Sequence, residues 1–102
     1  MYVRISKGSY SPELHANVSA RLNGSSESLV PAIKQLPGCQ SYFVGSDSAS
    51  NTMVNVSVWD TLEHAQAMSS LPEMTALGKE FERMGVNFER PIINYEAMWE
   101  IR

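Results

Sequence analysis

Residues 52–59 read Thr-Met-Val-Asn-Val-Ser-Val-Trp. Val54, Val56 and Val58 recur at every second position, the period of an extended strand. Such a strand has an aliphatic side, built by the valines, and a mixed side, built by Met53, Asn55, Ser57 and Trp59. The rest of the chain can be phased outward from it.

Toward the N-terminus, Asp47 to Asn51 is small and polar and predicts a hairpin loop, so Cys39 to Ser46 becomes the antiparallel neighbour. Pro37-Gly38 stops a helix marked by Leu29, Val30, Ile33 and Leu36. Ser25 or Ser26 caps that piece, with Pro31 near its first turn. Asn23-Gly24 predicts the end of an earlier helix carrying Leu14, Val18 and Leu22. That helix starts at Ser11-Pro12-Glu13: serine caps, proline loses nothing at the first helical position, and glutamate suits the positive end. Gly8 to Ser11 reads as a turn, and Met1 to Lys7 as the first strand, with Val3 and Ile5 alternating with Tyr2, Arg4 and Ser6.

Toward the C-terminus, Asp60 with Glu63 resembles a capping box and predicts a helix from about Thr61, striped by Leu62, Ala65, Met68 and Leu71. Pro72-Glu73 restarts a helix in which Met74, Leu77, Phe81 and Met84 recur at three- and four-residue steps, until Gly85. Asn87 to Pro91 reads as a connection and Ile92 to Ile101 as a long last strand. The order β-α-β-β-α-β predicts one α+β domain over residues 1–102: a ferredoxin-like four-stranded antiparallel sheet with both helices on one face.

With 43% hydrophobic and 19% charged residues, the chain has a folded rather than a disordered composition. Eleven acidic against eight basic residues, a net charge of -3, argue against a nucleic-acid or anionic-membrane partner. The single cysteine, Cys39, cannot close an internal disulfide. No apolar run approaches the ~20 residues of a membrane span. Charge and turn residues arrive by Arg4, Lys7 and Gly8, unlike a signal peptide. A soluble cytoplasmic protein is expected. Neither a glycine-rich phosphate loop nor a metal-ligand cluster is legible, so no cofactor and no metal are expected.

Sorting the strands by parity gives two faces. Val3, Ile5, Tyr42, Val44, the three valines, Ile93 and Tyr95 form a nearly uniform apolar set, expected under the helices. The other set holds Arg4, Ser6, Phe43, Asn55, Ser57, Trp59 and Met98. It is too apolar for free water and too polar for a plain core. It is therefore expected to form a homodimer interface, a ligand pocket, or both. On this reading Val56→Asp prevents folding. Arg4, Phe43, Ser57 and Met98 are the expected substrate-binding residues, with the Arg4 fork suited to an anion. His64, beside the first helical turn after Trp59, is the candidate general base.

Here the chain resembles the antibiotic biosynthesis monooxygenase domains of the dimeric α+β barrel superfamily. The marks are the element order, Leu36-Pro37-Gly38-Cys39, Val58-Trp59-Asp60 with Glu63 and Ala65, and Leu71-Pro72-Glu73-Met74. The resemblance implies two sheets paired face to face and a cavity in each subunit. In cofactor-free monooxygenases of this type an Asn and a Trp four apart on the third strand line that cavity, and Asn55 and Trp59 match that spacing. The implied chemistry is reaction of the substrate's own carbanion with O₂, with Asn55 donating to an enolate or phenolate and Trp59 walling the slot. The pattern of haem-degrading relatives is absent: Ser6-Lys7 ends the first strand, and the only histidines are His15 and His64. A small-molecule-binding or structural dimer without catalysis, and an isomerase using His64, are the alternatives.

Overall fold

The computed structural model describes residues 1–102. Strand β1 spans Tyr2–Ser9, helix α1 His15–Lys34, β2 Cys39–Asp47, β3 Thr52–Trp59, α2 Leu62–Gln66 and α3 Pro72–Met84, followed by short strands β4 Asn87–Phe88 and β5 Ile93–Glu96. The sheet runs β2-β3-β1-β4, with β5 also on β1, and every pairing is antiparallel. This is the expected ferredoxin-like α+β arrangement, its last strand delivered in two pieces.

Several boundaries differ from the sequence reading. α1 is one helix, unbroken by Asn23-Gly24 and with Pro31 in its interior. Val18, Leu22, Leu29 and Ile33 are buried along it. At about 1.5–3 kcal/mol for each such side chain, this burial exceeds the ~1 kcal/mol cost of a mid-helix glycine and the ~3 kcal/mol of a proline. β1 continues through Gly8, which pairs with Met53 and Phe88. A Cβ on Gly8 would stand 2.6 Å from Val86 Cγ1, so the glycine is there for a close approach and not for a turn. Thr61 caps α2, accepting the His64 N–H at 3.1 Å, while the Asp60 carboxylate accepts from or pairs with His64 Nδ1 at 2.6 Å. The last strand ends at Glu96, so residues 97–102 lie outside the sheet.

The largest correction concerns the two faces. Arg4, Ser6 and Gly8 of β1 and Met53, Ser57 and Trp59 of β3 are buried, whereas Val3, Ile5 and the three valines are only partly so. The helices therefore cover the mixed side. Met53 and Trp59 join Leu22, Leu29, Leu77 and Phe81 in the core. The aliphatic side is left uncovered, with Phe43, Ile93 and Tyr95 each at least half exposed. A period of two says which residues share a side, not which side the helices take.

β2 is also out of the expected phase. A bulge between Cys39 and Ser41 sets Tyr42 opposite Ser57, Val44 opposite Asn55 and Phe43 opposite Val56. Paired residues share a side. Tyr42 and Val44 thus lie on the helix side, Val44 exposed along the edge strand, and Phe43 on the aliphatic face.

Candidate functional site

Three strands form the floor of a cavity. One row across them is Arg4–Ser57–Tyr42 and the next is Ser6–Asn55–Val44. Ser57 and Ser6 are short, so the floor dips between longer neighbours. α1 contributes Leu22, Ser25 and Leu29 to the roof, and α3 contributes Leu77, Gly78 and Phe81. The cavity volume is about 80 Å³. A cavity of ~150 Å³ is what accepts benzene, so an aromatic ligand must extend beyond it.

Room exists on both sides. A groove of about 460 Å³ runs between α1 and the edge strand β2 and shares Tyr42, Leu29 and Val44 with the cavity. A hollow of about 530 Å³ between α3 and residues 90–92 shares Arg4, Gly78 and Arg90 with it.

Two polar groups of the cavity, Arg4 and Tyr42, are short of partners. Arg4 is 6% exposed. It donates to Asn94 Oδ1 at 3.2 Å and Ser69 Oγ at 3.1 Å, both neutral, and enters no ion pair. Burial pushes its pKa below the ordinary value, Tyr42 opposes this, and Arg90 adds to it. The Tyr42 hydroxyl is buried without a hydrogen-bond partner. Burial pushes that phenol far above its ordinary range, Arg4 draws it part of the way back, and Cys39 adds to the rise. Tyr42 is accordingly a neutral donor at physiological pH. Asn55 lines the same cavity, and its amide can donate or accept.

Of the residues singled out from sequence, the structure brings Arg4 and Asn55 together on the cavity. Trp59 lies on the same side but is completely buried, and its indole N–H donates to Ser57 Oγ at 2.8 Å. Both are core residues beside the cavity and outside its lining, which corrects Trp59 as a wall and Ser57 as a contact. His64 is at the protein edge with Asp60, not at the cavity, so it cannot serve as base there without a large rearrangement. Phe43 stands on the opposite face, and Met98, 77% exposed, lies beyond β5. Sequence reasoning missed Tyr42, whose side depends on the bulge, and Arg90, which lies in a connection with no periodicity. No three His, Cys, Asp or Glu side chains are grouped so as to hold a metal ion. No helix is long and apolar enough to cross a membrane.

Residues 16–80 match the family model described as antibiotic biosynthesis monooxygenase. The chain belongs to this family. Among solved structures, this family member is similar to a protein from Deinococcus radiodurans ascribed to antibiotic biosynthesis monooxygenases. The two are 25% identical over 100% of this chain and 97% of the other, with a TM-score of 0.74. It also resembles SnoaB, a cofactor-independent oxygenase from Streptomyces nogalater, at 14% identity over 98% and 95% of the two chains and a TM-score of 0.63. A dimeric ferredoxin-like protein from an uncultured marine organism shares the fold at 11% identity, 100% and 99% coverage and a TM-score of 0.74. No curated protein matches the sequence.

Proposed function

We propose that this antibiotic biosynthesis monooxygenase family member is a cofactor-independent monooxygenase for a small aromatic, enolisable compound bound between sheet and helices. The observation that carries this is a buried guanidinium without an anion, Arg4, facing the same cavity as a buried phenol without an acceptor, Tyr42. An unpaired buried charge and an orphaned hydroxyl are both costly, and an anionic ligand in the cavity offsets both. Asn55 adds a third polar group. Together they favour the enolate or phenolate over its neutral acid.

The chemistry then belongs to the substrate. A CH₂ group conjugated to a ring carbonyl loses a proton to water, and the resulting anion passes one electron to O₂. The radical pair joins as a carbon–peroxide bond. Proton uptake and loss of water leave a ketone, so CH₂ and O₂ become C=O and H₂O. The chain supplies a slot, an orientation and a stabilised oxyanion.

Two copies are proposed to pair through the aliphatic sheet face, where Phe43, Ile93 and Tyr95 are exposed beside the valines. The unpaired thiol of Cys39 suits the reducing cytoplasm. The small cavity volume favours one competing reading, a binding or structural dimer without catalysis. An oxygen electrode separates them. With anthrone-type substrates, a chelator present and no flavin added, the monooxygenase consumes O₂ in equimolar ratio to the ketone formed. Uptake no faster than the uncatalysed rate across a panel of anthrones and polyphenols removes the enzymatic reading.

A further inference from the structure

We propose that the hollow between α3 and residues 90–92 is an anion subsite, and that the substrate is an aromatic hydroxy acid. Its carboxylate lies in the hollow while its hydroxyl reaches Tyr42 and Asn55. This rests on the inner cavity being the substrate site.

Arg4, Lys79 and Arg90 line the hollow against one carboxylate, Glu82. In a chain of net charge -3 this concentration runs against the prevailing sign. Glu82 neutralises little of it: its oxygen is 3.8 Å from Arg90 Nη2, and both side chains are more than half exposed. The Arg90 guanidinium lies over the Phe88 ring, 5.0 Å from its centroid, which holds it at the rim. Arg4 closes the inner wall, and its contacts to Asn94 and Ser69 leave N–H donors of its fork free.

Gly78 joins the hollow to the cavity. A Cβ built on it would meet nothing within 4 Å. Glycine inside a helix is less stable than alanine, so the gap comes at a cost to α3, and it keeps the two spaces continuous. The backbones at Arg4 on β1 and Tyr42 on β2 are separated by β3 alone, about 10 Å at ~4.8 Å per strand. A fused two-ring aromatic with acid and hydroxyl at opposite ends is long enough to lie across β3, one end in the hollow and the other in the cavity.

The test compares 2-naphthol with 6-hydroxy-2-naphthoate by calorimetric titration of the full chain. The hydroxy acid should bind about tenfold or more tightly than the naphthol, the size of a charge-assisted hydrogen bond. Arg90→Gln should cut that advantage to about threefold or less, and Lys79→Gln should reduce it on the same readout should the Arg90 variant fail to fold. Gly78→Leu should abolish it by filling the junction. Equal affinities in the unaltered protein overturn the subsite, as does an advantage that survives Arg90→Gln and Gly78→Leu, or no binding of either probe at about 1 mM. Oxygen uptake is independent of this readout: a carboxylate preference without uptake sinks the monooxygenase reading alone, and uptake without a preference sinks the subsite alone.

Discussion

Arg4 and Tyr42 face the same residue, Ser57, from the strands on either side of it, so a buried cation and a buried neutral phenol share one wall of the cavity. Neither has the partner that burial ordinarily demands. Tyr42→Phe removes the orphaned hydroxyl and keeps the ring. The variant should be as stable as the parent or more so by up to ~1 kcal/mol, yet bind phenolic ligands about tenfold more weakly. Thermal melts and ligand titrations measure the two effects. A large fall in stability with unchanged affinity would make Tyr42 a packing residue.

The same phenol has a consequence at high pH. Its folded pKa is raised by burial above the ~10 of an unfolded tyrosine. Between those values the unfolded chain has released a proton that the folded chain retains. Stability is therefore fully present below about pH 10 and falls as pH rises toward the folded pKa. Tyr10, also raised by burial and by Asp47, acts in the same direction. Urea midpoints between pH 8 and 11 should decline beyond about pH 10, and less steeply in Tyr42→Phe. An equal decline in both proteins would assign the effect to other groups.

Val56 pairs with Ile5 and Phe43 on the uncovered sheet face. Val56→Asp should fold, because the carboxylate stays in water when the partner copy is absent. It should also run as a monomer in light scattering where the parent runs as a dimer. Loss of all folded protein would return the valines to a core role within the single chain.

Gly78→Ala places a methyl in open space within α3. It should raise stability by about 0.5–1 kcal/mol, a rise of several degrees in Tm for a domain of about 100 residues. A destabilised variant would mean the gap is narrower than the backbone implies.

The element order was readable because the valines of β3, the breakers Pro37-Gly38 and Gly85, and the restart at Pro72 each act locally. What was misread depends on partners distant in sequence. Both sides of β3 are apolar enough for burial, and only the helices decide between them: Leu22, Leu29 and Phe81 close over Met53 and Trp59. Gly8 resembles a turn until Val86 and Phe88 pack against it. The bulge at Cys39–Ser41 leaves no composition signal, yet it carries Tyr42 into the cavity and Phe43 out of it. Arg4 was legible from parity and Asn55 from its four-residue spacing to Trp59 in the family resemblance, although parity put both on the side away from the helices. Trp59 was not, since its spacing from Asn55 is equally that of a core indole bonded to Ser57.

The preference of the cavity for an oxyanion can be read from the ionisation of a bound phenol. A chromogenic phenol such as 4-nitrophenol, whose anion absorbs in the visible, can be titrated with pH while held at saturating protein. The bound pKa should be lower than that of the free phenol by about one unit or more, equivalent to ~1.4 kcal/mol of preference for the anion. Arg4→Met should remove the shift. A pKa raised on binding, the result expected of an apolar slot without a working cation, would contradict it.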